Sequence, residues 1–227
     1  MGQHQNSESG YYKNQPGLAG LVSSISMAAR RKMFIQLMKH TNITQSTSIL
    51  DVGVTSNRRQ ESNFFEKMYP YSERITAVGI EDAYFLEEEH PGLTYIKADA
   101  LDLPFPDKSF DLVVSFAVIE HAGNRSKQRA FVRELCRVGK AVYITTPNRW
   151  FPIEFHTVLP LIHWLPANIF RKILLLLGMN FYAQEENLNL LTASDLRDLV
   201  PPSHSISCLH HRLFGMVSNL VFYLKCT

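Results

Sequence analysis

The sequence predicts an α/β protein built on a doubly wound parallel sheet with helices on both faces. Short apolar runs alternate with segments of helical spacing along residues 49–146, and parallel neighbours need such crossover connections. The apolar runs are nearly continuous, which is typical of strands buried on both faces. With 227 residues, 45% of them hydrophobic, the chain can bury one sizeable core.

Five apolar runs predict five parallel strands, at residues 49–52, 74–80, 93–97, 110–116 and 141–146. Helices are expected at 58–68, at 81–88 and at 127–137, because these segments separate the strands and carry helix-end signals. Two final strands are expected within 206–214 and 219–225. Thr192 and Asp195 have the spacing of a capping box that opens another helix.

The chain divides into an N-terminal part, 1–46, and one domain, 47–227, with an insertion at 147–191. Residues 1–16 are polar and are expected to be a mobile tail. Apolar positions recur near helical spacing over 18–40, which predicts a helical segment. Within the insertion, Pro166 and Gly178 bracket an amphipathic helix at 167–177.

Composition excludes several classes of protein. The 23 basic and 21 acidic side chains give a net charge of +2, which offers no case for nucleic-acid binding. Three cysteines without ligand spacing predict buried, reduced thiols and no structural zinc. Residues 1–6 lack the pattern of a secretory signal, and no apolar run is long enough to span a membrane. A cytoplasmic location is therefore expected.

The most distinctive stretch runs from Asp99-Ala100 through Leu103-Pro104-Phe105 and Phe110-Asp111 to Glu120-His121. It resembles the strand-3 to strand-4 region of class I S-adenosylmethionine-dependent methyltransferases, in particular the type 11 group. The resemblance implies a Rossmann-like seven-stranded sheet whose last strand is antiparallel. It also implies S-adenosylmethionine as cofactor, S-adenosylhomocysteine as product, and Glu120-His121 on the helix after strand 4.

The cofactor site is expected at the carboxyl ends of strands 1 to 4, where the strand order reverses. Asp99 would accept a hydrogen bond from the adenine amino group and the Ala100 amide would donate to the ring. The cofactor-binding residues implied by the resemblance are Asp51, Gly53, Thr55, Glu81, Asp82, Asp99, Ala100, Ser115 and Phe116.

Two loops depart from the family pattern. Thr55 and Asn57 stand where the family usually has glycines, and Gly79 stands where it has the acid that holds the ribose. Glu81 or Asp82 would replace that acid, although both also suit a helix N-terminus. Phe116 would contact the cofactor or pack in the core. Tyr11 and Tyr12 would cover the cofactor or belong to a solvated tail.

Methyl transfer to a hydroxyl needs a positioned nucleophile and a base, and no metal is expected. His121 is a candidate base because its ordinary pKa of about 6.5 suits proton removal near neutrality. The alternative is a structural role, in which His121 pairs with Glu120 or with the backbone. His156 is the second candidate base.

The segment after strand 5 is expected to recognise the acceptor. Thr146-Pro147-Asn148 resembles a branch of the family that acts on small molecules, glycans and lipid-linked intermediates. The candidate acceptor-binding residues are Asn148, Arg149, Trp150, Glu154 and His156. The alternative is a structural loop in which Trp150 and Trp164 simply pack. The helix at 167–177 would pack on its own core, cover a hydrophobic pocket or touch a membrane, and the peripheral contact would involve 160–177.

These observations predict a methyltransferase that acts at oxygen on a small-molecule, glycan or lipid-linked acceptor. The alternative is a catalytically inactive methyltransferase-like domain that serves as a partner or regulatory subunit, which Gly79, Thr55 and Asn57 would suit. The sequence indicates neither the identity of the acceptor nor an oligomeric state.

Overall fold

A computed structural model describes residues 16–59 and 61–226, with side-chain surroundings from residue 24 onward. The expected contact of Tyr11 and Tyr12 with the cofactor lies outside the described residues. A long helix, α1, covers Pro16–His40. It precedes the sheet and packs Met33 and Leu37 into the core.

Eight strands form one sheet. They are β1 Ile49–Val52, β2 Ile75–Gly79, β3 Thr94–Lys97, β4 Phe110–Phe116, β5 Gly139–Pro147, β6 Ser205–Cys208, β7 His211–Leu213 and β8 Met216–Lys225. Their order is β3-β2-β1-β4-β5-β8-β6, with β7 also paired to β8. The first five strands are parallel and β8 is antiparallel to β5. The expected fold is confirmed.

The sheet has eight strands instead of seven because one position is divided between two short strands. β6 pairs with the second half of β8, up to Cys208 opposite Phe222, and β7 pairs with the first half, from His211 opposite Asn219. Between β6 and β7, the Leu209 amide still donates a hydrogen bond to the Val221 carbonyl of β8. β6 and β7 therefore occupy a single edge position beside β8.

The remaining helices are α2 Phe64–Met68, α3 Phe85–Glu89, α4 Arg125–Val138, α5 Ala167–Leu176 and α6 Ala193–Leu199. The predicted capping box at Thr192 and Asp195 is confirmed. The helix predicted at 58–68 is shorter, because side-chain hydrogen bonds hold residues 55–59 and 61–63 in irregular structure. Likewise, Glu120 and His121 lie on a 3₁₀ turn, Ile119–His121, before α4.

The apolar core lies on both faces of the sheet, as expected for parallel strands. Leu50 and Val113 face a cluster that includes Phe131 of α4. The adjacent residues Ile49 and Val114 face the opposite cluster with α1. Successive strand residues alternate between the two faces, so both helical layers are held against the same strands.

The insertion at 147–191 is attached to the turn after β4. The Asn189 amide donates to the Glu120 carbonyl at 2.7 Å, and the Asn189 side chain donates to the Gly123 carbonyl at 3.0 Å. The buried side chain of Gln128 donates to both the Ile119 and the Asn189 carbonyls. Among the described residues, no helix is both long and apolar enough to cross a membrane.

Candidate functional site

A cleft of about 700 Å³ opens at the carboxyl ends of β1 to β4, which is where ligands bind in doubly wound sheets. Its lining joins the loops after these strands to α1, α2 and the end of the insertion. Of the predicted cofactor residues, Asp51, Gly53, Thr55, Glu81, Asp99, Ala100 and Phe116 line it.

The loop after β1 lies close to the end of β2. The Gly53 and Val54 amides both donate to the Val78 carbonyl, at 2.8 and 3.1 Å. Gly53 has a φ of +112°, and a β-carbon there would lie 2.2 Å from a methyl group of Val118. Both the conformation and the close approach of the chain therefore require glycine at this position.

The residues that replace the usual glycines of this loop are not strained. Neither Thr55 nor Asn57 has a positive φ. Asn63 holds the loop instead, since its side chain accepts from the Thr55 amide and donates to the Thr55 carbonyl, both at 2.9 Å. Asn63 itself has a φ of 47°, a conformation that asparagine tolerates better than most residues.

Gly79 has no room for a side chain. A β-carbon there would lie 2.2 Å from the Val54 carbonyl oxygen, so the backbone of the β1 loop occupies the place of the usual acid. Glu81 reaches the same loop, because its carboxylate accepts from the Ser56 amide at 2.9 Å and from the Ser56 hydroxyl at 2.5 Å. The Asp82 carboxylate accepts instead from the Tyr84 amide, and Asp82 does not line the cleft.

Asp99 and Ala100 form the wall of the cleft after β3. The exposed Asp99 side chain accepts from the Leu101 amide at 2.9 Å, which fixes its turn. Phe116 lines the cleft and also packs edge-on against Phe64, with ring centroids 4.7 Å apart. It therefore serves both the core and the cleft.

Ser115 does not reach the cleft. Its side chain is fully buried, and its hydroxyl donates to the Val52 carbonyl at 3.0 Å. Because strand residues alternate in direction, Ser115 points away when its neighbour Phe116 faces the cleft. The structure therefore gives Ser115 a role in joining β4 to β1, in place of the expected contact beneath the cofactor.

Two buried acids lie at the base of the cleft. Burial, and then the neighbouring Glu66, raise the pKa of Asp51 well above its usual range. Burial also raises the pKa of Glu66, whose two oxygens find no other hydrogen-bond partner among the described residues. Because two neighbouring carboxylates repel each other, ionisation of one disfavours ionisation of the other.

Arg30 on α1 supplies a cation to the same cleft. Its guanidinium lies over the Phe64 ring, 5.7 Å from the centroid. Burial lowers the pKa of Arg30, while the charges of Glu61 and Glu120 oppose that shift. The cleft is thus lined by a guanidinium as well as by the buried acid Asp51.

The opposite wall contains both candidate bases. The His121 and His156 rings meet edge-on with centroids 4.8 Å apart, and both residues line the cleft. His121 Nδ1 lies 2.6 Å from the Asn187 carbonyl oxygen. His156 Nδ1 lies 2.7 Å from Glu154 Oε1, and its Nε2 faces Glu120 Oε1 at 4.0 Å.

Glu154 supports His156 and does not enter the cleft. Burial raises the pKa of Glu154, but the charge of His156 and hydrogen bonds from His156 and Thr157 outweigh burial and lower it to about 2. Its two oxygens accept from both residues at 2.6–2.9 Å. The carboxylate therefore fixes the turn that presents His156.

The other residues predicted to bind the acceptor make their contacts away from the cleft. Asn148 donates to the Val217 carbonyl at 2.8 Å and Arg149 to the Leu165 carbonyl at 3.0 Å. Trp150 packs edge-on against Trp164 with centroids 6.2 Å apart. None of Asn148, Arg149 and Trp150 lines the cleft, because Asn148 is bonded to β8 and the other two side chains contact residues of the insertion.

Several residues of the cleft carried no signal in the sequence. Phe181, Glu186 and Asn187 come from the end of the insertion, far in sequence from the strands they face. The cysteines also differ from expectation, since Cys136 is buried but Cys208 is exposed. Cys136, Cys226 and His204 come within 4.8 Å of one another, although their sequence spacing does not indicate a cluster.

The middle of the chain is similar to a known family. The methyltransferase domain family matches residues 50–141, which cover β1 to the start of β5. A probable S-adenosylmethionine-dependent methyltransferase of Mycobacterium tuberculosis is 37% identical over 67 residues, 28% of this chain and 23% of that protein. Norajmaline N-methyltransferase of Rauvolfia serpentina is 30% identical over 141 residues, 57% of this chain and 45% of that enzyme. The matches thus span less than half the length of these relatives.

Solved structures agree with the fold. A S-adenosylmethionine-dependent methyltransferase from Methanosarcina mazei superposes with a TM-score of 0.50 at 19% identity, covering 83% of this chain and 96% of that one. Magnesium protoporphyrin IX methyltransferase from Synechocystis, with bound S-adenosylhomocysteine, gives a TM-score of 0.56 at 10% identity over 89% and 83% of the two chains.

Proposed function

We propose that the chain is a class I S-adenosylmethionine-dependent methyltransferase, which the match of residues 50–141 to the methyltransferase domain family supports, and that it transfers a methyl group to an acceptor hydroxyl. The observation that supports this most directly is the cleft of about 700 Å³ at the switch point of the sheet. It places acids and close-packed glycines on one wall and two imidazoles on the other.

The cleft fits the cofactor of this family. Gly53 and Gly79 keep the backbone free of β-carbons where the chain approaches the cleft. The acids at its base suit the cationic part of the cofactor, and Arg30 suits its carboxylate. Asp99 and Ala100 suit the adenine, while Glu81 stands where it can accept from ribose hydroxyls.

When bound, S-adenosylmethionine supplies an electrophilic methyl group whose carbon–sulfur bond breaks as the acceptor oxygen bonds to the carbon. The chain itself must position the acceptor and remove its proton. We place the acceptor against the wall that contains His121 and His156, where Glu154 orients one imidazole and the Asn187 carbonyl orients the other. Asn148, Arg149 and Trp150 maintain the shape of that wall.

Calorimetric titration of the purified protein with S-adenosylmethionine tests the first step. Asp99→Asn should weaken binding roughly 10- to 100-fold, because a hydrogen bond to a charged group contributes about 1.5–3 kcal/mol. Asp102→Asn is the matched control, since Asp102 belongs to the same turn and does not line the cleft. Its affinity should stay within about twofold of the wild type.

Release of S-adenosylhomocysteine with a panel of glycans, small phenols and lipid-linked saccharides tests the second step. The inactive alternative predicts either no cofactor binding at millimolar concentration or binding without turnover on any acceptor. The Rauvolfia relative is named an N-methyltransferase, so an amine series belongs in the same panel. Turnover on amines alone would contradict oxygen as the methylated atom.

We also propose that the acceptor is met at an anionic membrane surface, through the outer face of 160–177. This face exposes large apolar side chains, at Leu161, Trp164, Leu165, Ile169, Leu175, Leu176 and Leu177. The only acid within 147–184 is Glu154, which is buried, whereas Lys172 is exposed. Arg171 is paired with Glu185 at 3.5 Å, which leaves the exposed Lys172 as the cation beside these apolar side chains, and this combination suits the headgroup region of anionic lipid.

Sedimentation with lipid vesicles tests this contact. Wild-type protein should bind vesicles that contain phosphatidylserine more strongly than pure phosphatidylcholine, and Leu176→Gln should lower the bound fraction severalfold. Phe214→Gln is the matched control, because Phe214 is 86% exposed and Leu176 is 87% exposed, while Phe214 belongs to the β7–β8 hairpin. Equal loss in both variants would contradict a contact through 160–177.

A further inference from the structure

We propose that Glu120, His121 and His156 bind a divalent transition-metal cation on the acceptor wall of the cleft. Each residue offers one ligand atom, and these atoms lie within 4.8 Å of one another. Ligand atoms about 2 Å from a tetrahedral cation are about 3.3 Å apart, so the most widely spaced of the three need to close by up to roughly 1.5 Å. The spacing of these residues does not indicate a metal site, since His156 follows His121 by 35 positions.

Both imidazoles are held in the form that binds a cation. The partner of His121 Nδ1 is a carbonyl oxygen, which only accepts, so Nδ1 carries the hydrogen. The partner of His156 Nδ1 is Glu154 Oε1, which also accepts from the His156 amide. In each neutral ring the lone pair therefore belongs to Nε2, and such carboxylate or carbonyl partners are what orient metal-binding histidines.

The carboxylate of Glu120 is the observation that points to a ligand. Glu120 is fully buried. Its Oε2 accepts from the Thr146 hydroxyl at 2.8 Å, while Oε1 has no hydrogen-bond partner among the described residues and faces His156 Nε2. A buried oxygen in this position is costly unless a cation compensates it.

No side chain in the described part of the chain forms an ion pair with Glu120 other than His156. Arg30 is near enough for its charge to be influenced by Glu120, but no contact within 4.0 Å joins the two. Among the described side chains, the position between Glu120 and the two imidazoles therefore holds no positive charge other than that of a protonated His156, and it is suited to a cation.

Two imidazoles and one carboxylate favour Zn²⁺, Co²⁺, Fe²⁺ or Mn²⁺ over Mg²⁺, which prefers oxygen ligands. Three protein ligands leave coordination positions open toward the cleft, as in catalytic rather than structural sites. This role rests on the proposed function: the cation would hold the acceptor oxygen and lower the pKa of its hydroxyl. Cation binding itself can be measured without cofactor or acceptor.

Full-length protein freed of metal by chelation is titrated with Co²⁺, followed by visible absorption and by calorimetry, and then with Zn²⁺ and Mg²⁺. Wild-type protein should bind one Co²⁺ with a dissociation constant in the micromolar range. Glu120→Gln should weaken binding at least about 100-fold, and Glu154→Gln about 10- to 100-fold, as expected for a ligand and for a residue that orients one. Mg²⁺ should bind more weakly than Co²⁺.

Cys226→Ser is the matched control, because Cys136, His204 and Cys226 form the other cluster able to hold a metal. This variant should bind Co²⁺ like the wild type. Gln at position 120 can still accept from the Thr146 hydroxyl, so the variant should fold. If it does not, His156→Gln replaces it, and thermal unfolding without metal verifies each variant.

Three results would overturn the proposal: half-saturation of the wild type above about 1 mM, unchanged binding in Glu120→Gln and His156→Gln, or loss of binding in Cys226→Ser. Titration with S-adenosylmethionine is run on the same metal-free samples. Cofactor binding without metal binding would contradict the cation site alone, and the absence of both would count against both proposals.

Discussion

Gly79→Ala should disturb cofactor binding more than its small size suggests. The added β-carbon would lie 2.2 Å from the Val54 carbonyl oxygen, far inside the 3.4 Å at which ordinary contact begins. The oxygen belongs to the backbone, so no rotation of a side chain can relieve the overlap. The loop after β1 must move away from β2.

That movement would lengthen or break the two hydrogen bonds from the Gly53 and Val54 amides to the Val78 carbonyl. At about 0.5–1.5 kcal/mol each, their loss costs about 1–3 kcal/mol, the range found for overpacked cores. Replacing glycine by alanine also lowers the conformational entropy of the unfolded chain, which stabilises the folded state by less than about 1 kcal/mol. A net loss of about 1–2 kcal/mol corresponds to a decrease in Tm of roughly 2–8 °C for a chain of this size.

Thermal unfolding and titration with S-adenosylmethionine measure the two effects separately. We expect Gly79→Ala to weaken cofactor binding at least about tenfold. Gly178→Ala is the control: Gly178 has a φ of +75° and open space around its β-carbon position, so alanine there costs about 1 kcal/mol of backbone strain without touching the cleft. Cofactor affinity of Gly79→Ala within twofold of the wild type would refute the reasoning.

Two further predictions concern the base of the cleft and its loop. Because burial raises the pKa of both Asp51 and Glu66, their stabilisation is complete below about pH 4 and decreases as pH rises through the folded-state values. In urea unfolding, the stability of Glu66→Gln relative to the wild type should therefore be greater at about pH 7.5 than at about pH 5, and an equal difference at both would contradict the raised pKa values. Asn63→Ala should lose about 1–3 kcal/mol more than Asn42→Ala, because both asparagines have φ near +48° but only Asn63 bonds the Thr55 backbone. Similar losses in the two variants would show that the loop does not depend on those bonds.

The sequence predicted the order of strands and helices because apolar runs and helix caps are local features. β4 has the predicted bounds, Phe110–Phe116, and the capping box of α6 is present. The predicted helix at 58–68 failed in its first half because Asn63 bonds a residue eight positions earlier. No periodicity in the sequence records such a contact.

The sequence predicted residues on both walls of the candidate site, but it did not predict how the insertion folds against the sheet. Asp99 and Ala100 line the cleft in a stretch whose family pattern is local. From the sequence, Gly79 is a departure from the acid that the family usually has at this position. The close approach of the Val54 backbone explains why glycine stands there. The wall that contains His156 depends on how the insertion folds back on the turn after β4. Contacts between residues so far apart in sequence produce no periodic pattern from which they could be predicted.

The attachment of the insertion to that turn bears on how an acceptor enters. The hydrogen bonds that cross between them run from Gln128 to Asn189, from Asn189 to Glu120 and Gly123, and from His121 to Asn187. Breaking all four would cost about 2–6 kcal/mol, and an opening that costs 4 kcal/mol is populated about once in a thousand molecules. The insertion therefore behaves as a fixed wall rather than a lid, and the acceptor has to arrive through the mouth of the cleft.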